Sequence, residues 1–135
     1  MADIRKVTEA FAVAPQIAVG DVAEARALGF VKLINNRPDH EAPDQPTSAQ
    51  IEAAARAAGL DYVHIPFAGR PTPEQAAAVA AAAEDAAGPV LAFCRSGTRS
   101  ITAWSLGQAA SGRRAPEELV RLGAGAGYDL SPLLG

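Results

Sequence analysis

Gly88-Pro89-Val90-Leu91-Ala92-Phe93-Cys94-Arg95-Ser96-Gly97-Thr98-Arg99-Ser100 is the stretch whose reading decides the fold. Gly-Pro punctuates the chain, and a continuous apolar run follows at once, as expected of a central strand buried on both faces. The strand ends at Cys94, and a helix is predicted from about Thr98 to Ala110. The carboxyl end of a central strand, just before a helix, is where α/β proteins place their ligands.

Reading outward, short β-branched runs alternate with longer Ala-rich segments. That alternation implies an α/β fold with a mainly parallel central sheet flanked by helices. Ile4–Val7 and Phe11–Ala14 read as an edge hairpin, Asp21–Leu28 as a short helix closed by Gly29, and Val31–Asn35 as a strand. Thr47-Ser48-Ala49-Gln50 and Thr72-Pro73-Glu74-Gln75 have capping-box spacing, so helices should run from there to about Ala58 and Ala87. Asp61–Phe67 alternates as a strand, and Pro116–Leu122 and Ser131–Leu134 supply smaller helical pieces. Without repeats or a linker, residues 1–135 are expected to form a single domain.

Three effects converge on the loop after Cys94. Backbone N–H groups of residues 95–99 can curl into a nest, helped at Gly97 by glycine's backbone freedom. The helix N-terminus adds partial positive charge. Arg95 and Arg99 add full charges, and Arg99 can hold an oxyanion bidentately. The same field favours thiolate over thiol. Cys94 and Arg99 are therefore the candidate catalytic residues, with Arg95, Ser96, Gly97, Thr98 and Ser100 as substrate-binding residues. Ser100 could also donate a hydrogen bond to the sulfur. Asn35, Asn36 and Arg37 end a parallel strand, so their loop could lie on the same rim as Cys94, and Arg37 is a further candidate contact, set against the plainer reading of a solvated loop charge. Asp39, Glu41 and Asp44 could hide a displaced general acid or form only an exposed acidic loop. Two plainer readings of Cys94 stay open: a buried structural cysteine, or an anion pocket without catalysis.

Residue counting separates two kinds of cysteine enzyme. Cysteine-dependent phosphatases have five residues between Cys and Arg, whereas here only four separate Cys94 from Arg99. The string Cys-Arg-Ser-Gly-Thr-Arg-Ser instead resembles the shorter loop of rhodanese-type sulfurtransferases, which implies sulfane-sulfur transfer. Ester cleavage also needs an acid to protonate a poor leaving group. In small dual-specificity phosphatases an Asp just beyond a strand like Tyr62–Phe67 serves, but here Ala68-Gly69-Arg70 follows, with no carboxylate until Glu74. The histidine that usually precedes a phosphatase cysteine is replaced by Phe93.

Ile34-Asn35-Asn36-Arg37-Pro38-Asp39, Gly59-Leu60-Asp61-Tyr62-Val63-His64-Ile65-Pro66 and Cys94–Ser100, in that order, resemble the phosphatase-like domain of the β-lactamase-hydrolase-like family. The likeness runs from Ile4 to about Ala110. It implies a dual-specificity/tyrosine-phosphatase-like fold and, because some members are fused to a persulfide dioxygenase of metallo-β-lactamase fold, a role in sulfur transfer. In this chain such a partner would be a separate protein.

The expected function is thus a rhodanese-like sulfurtransferase moving sulfane sulfur through a Cys94 persulfide, for example in sulfide or persulfide detoxification. The donor would be thiosulfate or a small persulfide and the acceptor a thiol. The alternatives are a cysteine-dependent phosphatase working through a cysteinyl-phosphate and a non-catalytic anion-binding or sulfur-sensing module. The net charge of −3 argues against nucleic acid or an anionic membrane as partner. One cysteine and two histidines make a four-ligand zinc site implausible, and no metal or cofactor is expected. The absence of a signal-peptide pattern leads to an expected cytoplasmic location.

Overall fold

The computed structural model describes residues 2–134. Five strands, β1 (Arg5–Lys6), β2 (Phe11–Ala14), β3 (Lys32–Asn35), β4 (Asp61–His64) and β5 (Val90–Phe93), form one sheet in the order β1-β2-β5-β3-β4. Only β1 is antiparallel; β2, β5, β3 and β4 run parallel. The first two strands do form a hairpin, but β2 is an interior strand because its other side pairs with β5.

Among the described residues six helices complete the fold: α1 (Asp21–Ala27), α2 (Ser48–Ala58), α3 (Pro73–Glu84), α4 (Thr98–Ala110), α5 (Pro116–Gly125) and α6 (Ser131–Leu134). Both capping boxes are made, with Thr47 and Thr72 accepting from the Gln50 and Gln75 amides while the glutamines reach back. Each satisfies two amides that the helix start leaves unpaired. Several elements are shorter than expected, β4 and α3 by the most, three residues each. β4 stops at His64: the Ile65 amide still bonds to the Asn35 carbonyl, but the Phe67 amide reaches the Asn36 carbonyl at 3.4 Å, one residue short of the regular parallel step, so the ladder ends there. α3 ends at Glu84 because the chain needs residues 85–89 to reverse into β5.

Residues of β5 alternate between two cores. Val90 and Ala92 face Phe11, Val79, Ile101, Trp104 and Leu119. Leu91 and Phe93 face Ile17, Val22, Leu33, Ile51 and Leu60. All four β5 residues are fully buried, and burying a side chain of Leu or Phe size contributes about 1.5–3 kcal/mol. Trp104 lies in the core, stacked on Phe11 with ring centroids 4.7 Å apart. On one face α4 meets α3 closely: a Cβ added at Gly107 would lie 2.6 Å from Ala80 Cβ and 2.7 Å from the Ala76 carbonyl oxygen. Such contacts fix α4, and with it the loop that α4 follows. Among the described residues no helix is long and apolar enough to cross a membrane.

Candidate active site

Parallel register sets the site. Asn35 on β3 and Ala14 on β2 both stand opposite Phe93. The ladder continues one step on each side, with the Cys94 amide donating to the Ala14 carbonyl (3.4 Å) and the Asn36 amide to the Phe93 carbonyl (2.9 Å). Cys94 is thus held between Ala14 and Asn36 on the carboxyl rim, and the Gln16 amide ties down the loop by bonding to the Arg95 carbonyl (3.3 Å).

Cys94 is fully buried, as a merely structural cysteine would be. Its surroundings are not those of a packing residue. The Gly97 amide donates to Cys94 Sγ at 3.1 Å, and the Arg99 guanidinium is held above its usual range foremost by its hydrogen bond to Glu41 and in smaller part by its nearness to Cys94. Gly97 caps α4 in the left-handed region, φ 89°, a conformation that costs glycine little. A helix N-terminus, an inward amide and a guanidinium therefore converge on the sulfur.

The other loop residues divide by role. Ser96 and Thr98 pair their hydroxyls at 3.0 Å, and Ser96 Oγ accepts from the Thr98 amide at 3.4 Å, tightening the first turn of α4. Arg95 is exposed at the loop's outer edge. Ser100 differs from the expectation: it is fully buried, and its hydroxyl donates to Asn36 Oδ1 at 2.7 Å rather than to the sulfur. Asn36 in turn donates to the Ile65 carbonyl at 3.0 Å, so this pair bolts α4 to β3 and β4.

Arg37 also departs from the solvated reading. Its side chain is 6% exposed, with Nε on Glu41 Oε1 at 3.0 Å and Nη1 on Gln16 Oε1 at 3.1 Å. Glu41 simultaneously takes the Arg99 fork, Nη1 to Oε2 at 2.9 Å and Nη2 to Oε1 at 2.7 Å, while Arg99 Nη1 also donates to the Phe67 carbonyl at 2.9 Å. The fork that sequence reasoning assigned to an incoming oxyanion is engaged by an internal carboxylate. Hydrogen bonds from Arg99 foremost, and from Arg37, hold the Glu41 carboxyl below its ordinary range against the opposing effect of burial. Of the other acidic residues in this loop, Asp39 caps α2 by accepting from the Ser48 amide at 2.7 Å, and Asp44 is exposed. His64 bonds to the Arg37 carbonyl at 2.8 Å, a structural role.

One neighbour of the loop escaped sequence reasoning. Tyr128, beyond the Gly-rich segment after α5, places its hydroxyl 2.9 Å from the Ser96 carbonyl. The signal available was Gly123, Gly125 and Gly127 clustered before a lone aromatic residue. A groove of about 670 Å³ between α3 and α4 is lined by Ala77, Ala81, Leu106 and Arg113 among others, but by no residue of the 94–100 loop. Among the described residues no three His, Cys, Asp or Glu side chains gather as metal ligands.

A parallel sheet delivering a buried cysteine into an anion-facing loop at the N-terminus of a helix defines the class of phosphatase-like cysteine domains. Residues 3–111 match the phosphatase-like domain of the beta-lactamase hydrolase-like proteins, and the chain belongs to that family. It is 39% identical over 127 residues to the beta-lactamase hydrolase-like protein of Agrobacterium fabrum, and 34% identical over 125 residues to that of Xylella fastidiosa strain Temecula1. The matches cover 93% and 92% of this chain but 29% of each relative, so the chain spans under a third of their length. In structure it is similar to a "putative phosphatase" of Neisseria meningitidis Z2491, with TM-score 0.84, 32% identity and coverage of 96% of this chain and 92% of that one. Tk-PTP in its active form, at TM-score 0.73, 20% identity and coverage of 95% and 87%, speaks to the fold alone. These likenesses agree with the expected family and fold. They carry the phosphatase-like reading and lend no support to sulfur transfer.

Proposed function

We propose that this domain is a cysteine-thiolate group-transfer enzyme and that the group it moves is sulfane sulfur. The observation that carries the choice is the state of Glu41. Among the described residues it is the one carboxylate bonded to the 94–100 loop, and two guanidiniums hold it as an anion. An acid must keep its proton near neutrality to protonate a departing alkoxide; Glu41 does not, and the turn at residues 68–70 has no carboxylate. A reaction whose leaving group needs no proton fits such a site. The Cys94 thiolate attacks the outer sulfur of thiosulfate, the S–S bond breaks with its electron pair, and sulfite departs, leaving a Cys94 persulfide. An acceptor thiolate then takes the outer sulfur and restores the Cys94 thiolate. Arg99, turning part of its fork from Glu41 to the incoming anion, would hold the donor together with Arg95 and the loop amides, and Arg37 would position Glu41.

A second reading is favoured by the comparisons: a phosphatase forming a cysteinyl-phosphate, restricted by the missing acid to esters with good leaving groups. Fold likeness speaks for it, but function is decided by the site more than by the scaffold. Steady-state kinetics separate the two. Sulfur transfer from thiosulfate to a thiol should give the parallel-line pattern of a covalent intermediate and vanish in Cys94→Ser. Efficient aryl-phosphate hydrolysis without sulfur transfer would install the second reading.

A further inference from the structure

The Ser96 carbonyl and the Gly97 amide belong to one peptide group, and they point in opposite directions because no peptide bond in the described chain is cis. On one side the amide donates to Cys94 Sγ at 3.1 Å. On the other the carbonyl receives the Tyr128 hydroxyl at 2.9 Å. We infer that Tyr128 is a positioning residue for the nucleophile, acting through the Ser96–Gly97 peptide to keep its N–H aimed at the Cys94 sulfur. This rests on the reading of Cys94 as a thiolate nucleophile, whichever group it transfers.

A carbonyl oxygen only accepts, so the phenol must donate and the direction of the chain is fixed: O–H to O=C, then N–H to S. Polarising the carbonyl strengthens the amide as a donor. Fixing the peptide plane matters more, since a flipped peptide would turn a carbonyl oxygen toward the thiolate. The packing enforces this arrangement. Gly97 has φ +89°, and a Cβ there would collide with the Tyr128 hydroxyl. Tyr128 is itself anchored, its amide on the Gly123 carbonyl at 2.8 Å and its ring 5.5 Å from the Arg5 guanidinium carbon. Arg5 pairs with Asp3 and reaches the Ala126 carbonyl at 3.4 Å, so the first strand holds the C-terminal tail over the loop. The titratable groups facing the phenol are Arg5, Asp3 and Cys94 itself. Burial above all keeps the phenol protonated beyond its ordinary range, so the donor persists at neutral pH.

Tyr128→Phe removes the hydroxyl and keeps the ring on Arg5. Its test is the rate of Cys94 alkylation by neutral iodoacetamide across pH, a readout that requires no turnover and so stands apart from the choice of substrate. With the Gly97 amide less firmly aimed at the sulfur, alkylation at neutral pH should slow severalfold. The two proteins should converge at the alkaline plateau, where every thiol is ionised. Equal rates at neutral pH, or the same slowing at every pH, would overturn the inference, the latter pointing to altered access alone.

Discussion

Replacing Glu41 by Gln should raise the preference of Cys94 for anionic reagents. The substitution keeps an acceptor oxygen for Arg37 Nε and removes one negative charge from a carboxylate 2.7–2.9 Å from both terminal nitrogens of Arg99. An anion on the far side of the guanidinium would sit about two hydrogen-bond lengths from that carboxylate, roughly 6 Å. At an effective dielectric of about 40, between the surface-pair and bulk-water values, two unit charges at that distance repel by about 1.4 kcal/mol, or tenfold. Physiological salt, with a screening length of about 8 Å, trims this toward threefold. The assay is the ratio of Cys94 alkylation by iodoacetate, an anion, to that by neutral iodoacetamide. Their ratio cancels changes in general access and in thiolate fraction. It should rise about threefold to tenfold in Glu41→Gln, and less at high salt. An unchanged ratio in a folded Glu41→Gln protein would refute the reasoning, showing that the Glu41 charge is not felt at the sulfur.

Two further outcomes follow from the same geometry. Gly107→Ala forces a methyl into Ala80 and the Ala76 carbonyl, contacts that cannot swing aside. Overpacking of that kind costs about 1–3 kcal/mol, and thermal melting should fall by several degrees; an unchanged Tm would mean that α3 and α4 part freely. Glu41 is also an acid-stability element. Because its carboxyl lies below the ordinary range when folded, its contribution is complete above the unfolded value of about 4.3 and is lost as pH falls through the lower folded value. Wild type should therefore lose more Tm than Glu41→Gln on acidification below about pH 5; parallel Tm–pH curves would contradict this.

How much of this was legible in the sequence depends on how far each feature reaches along the chain. The capping boxes at Thr47 and Thr72 and the run Val90–Phe93 carry their meaning within a few residues, and they mark helix starts and the central strand correctly. Register is less local, yet parallel strands ending at Asn35 and Phe93 were enough to place Asn36 and Arg37 on the rim of Cys94. Side-chain pairing across the rim was not legible. Glu41 and Arg99 lie 58 residues apart, and nothing in their neighbourhoods says that an acidic loop folds back onto an arginine. Ser100 was misassigned for a related reason. As the third residue of α4 it could face sulfur or sheet, and Asn36, 64 residues away, decides between them. Tyr128 was passed over because a single aromatic residue in a Gly-rich tail has no periodicity to read, and its partners Ser96 and Arg5 lie far away along the chain.

The most direct test of the account is intact-protein mass spectrometry after brief exposure to thiosulfate, with an aryl phosphate run in parallel. The account predicts a gain of one sulfur on the wild-type chain, absent from Cys94→Ser and removed by a thiol. A phosphoryl adduct at Cys94, with no sulfur gained from thiosulfate, would contradict it.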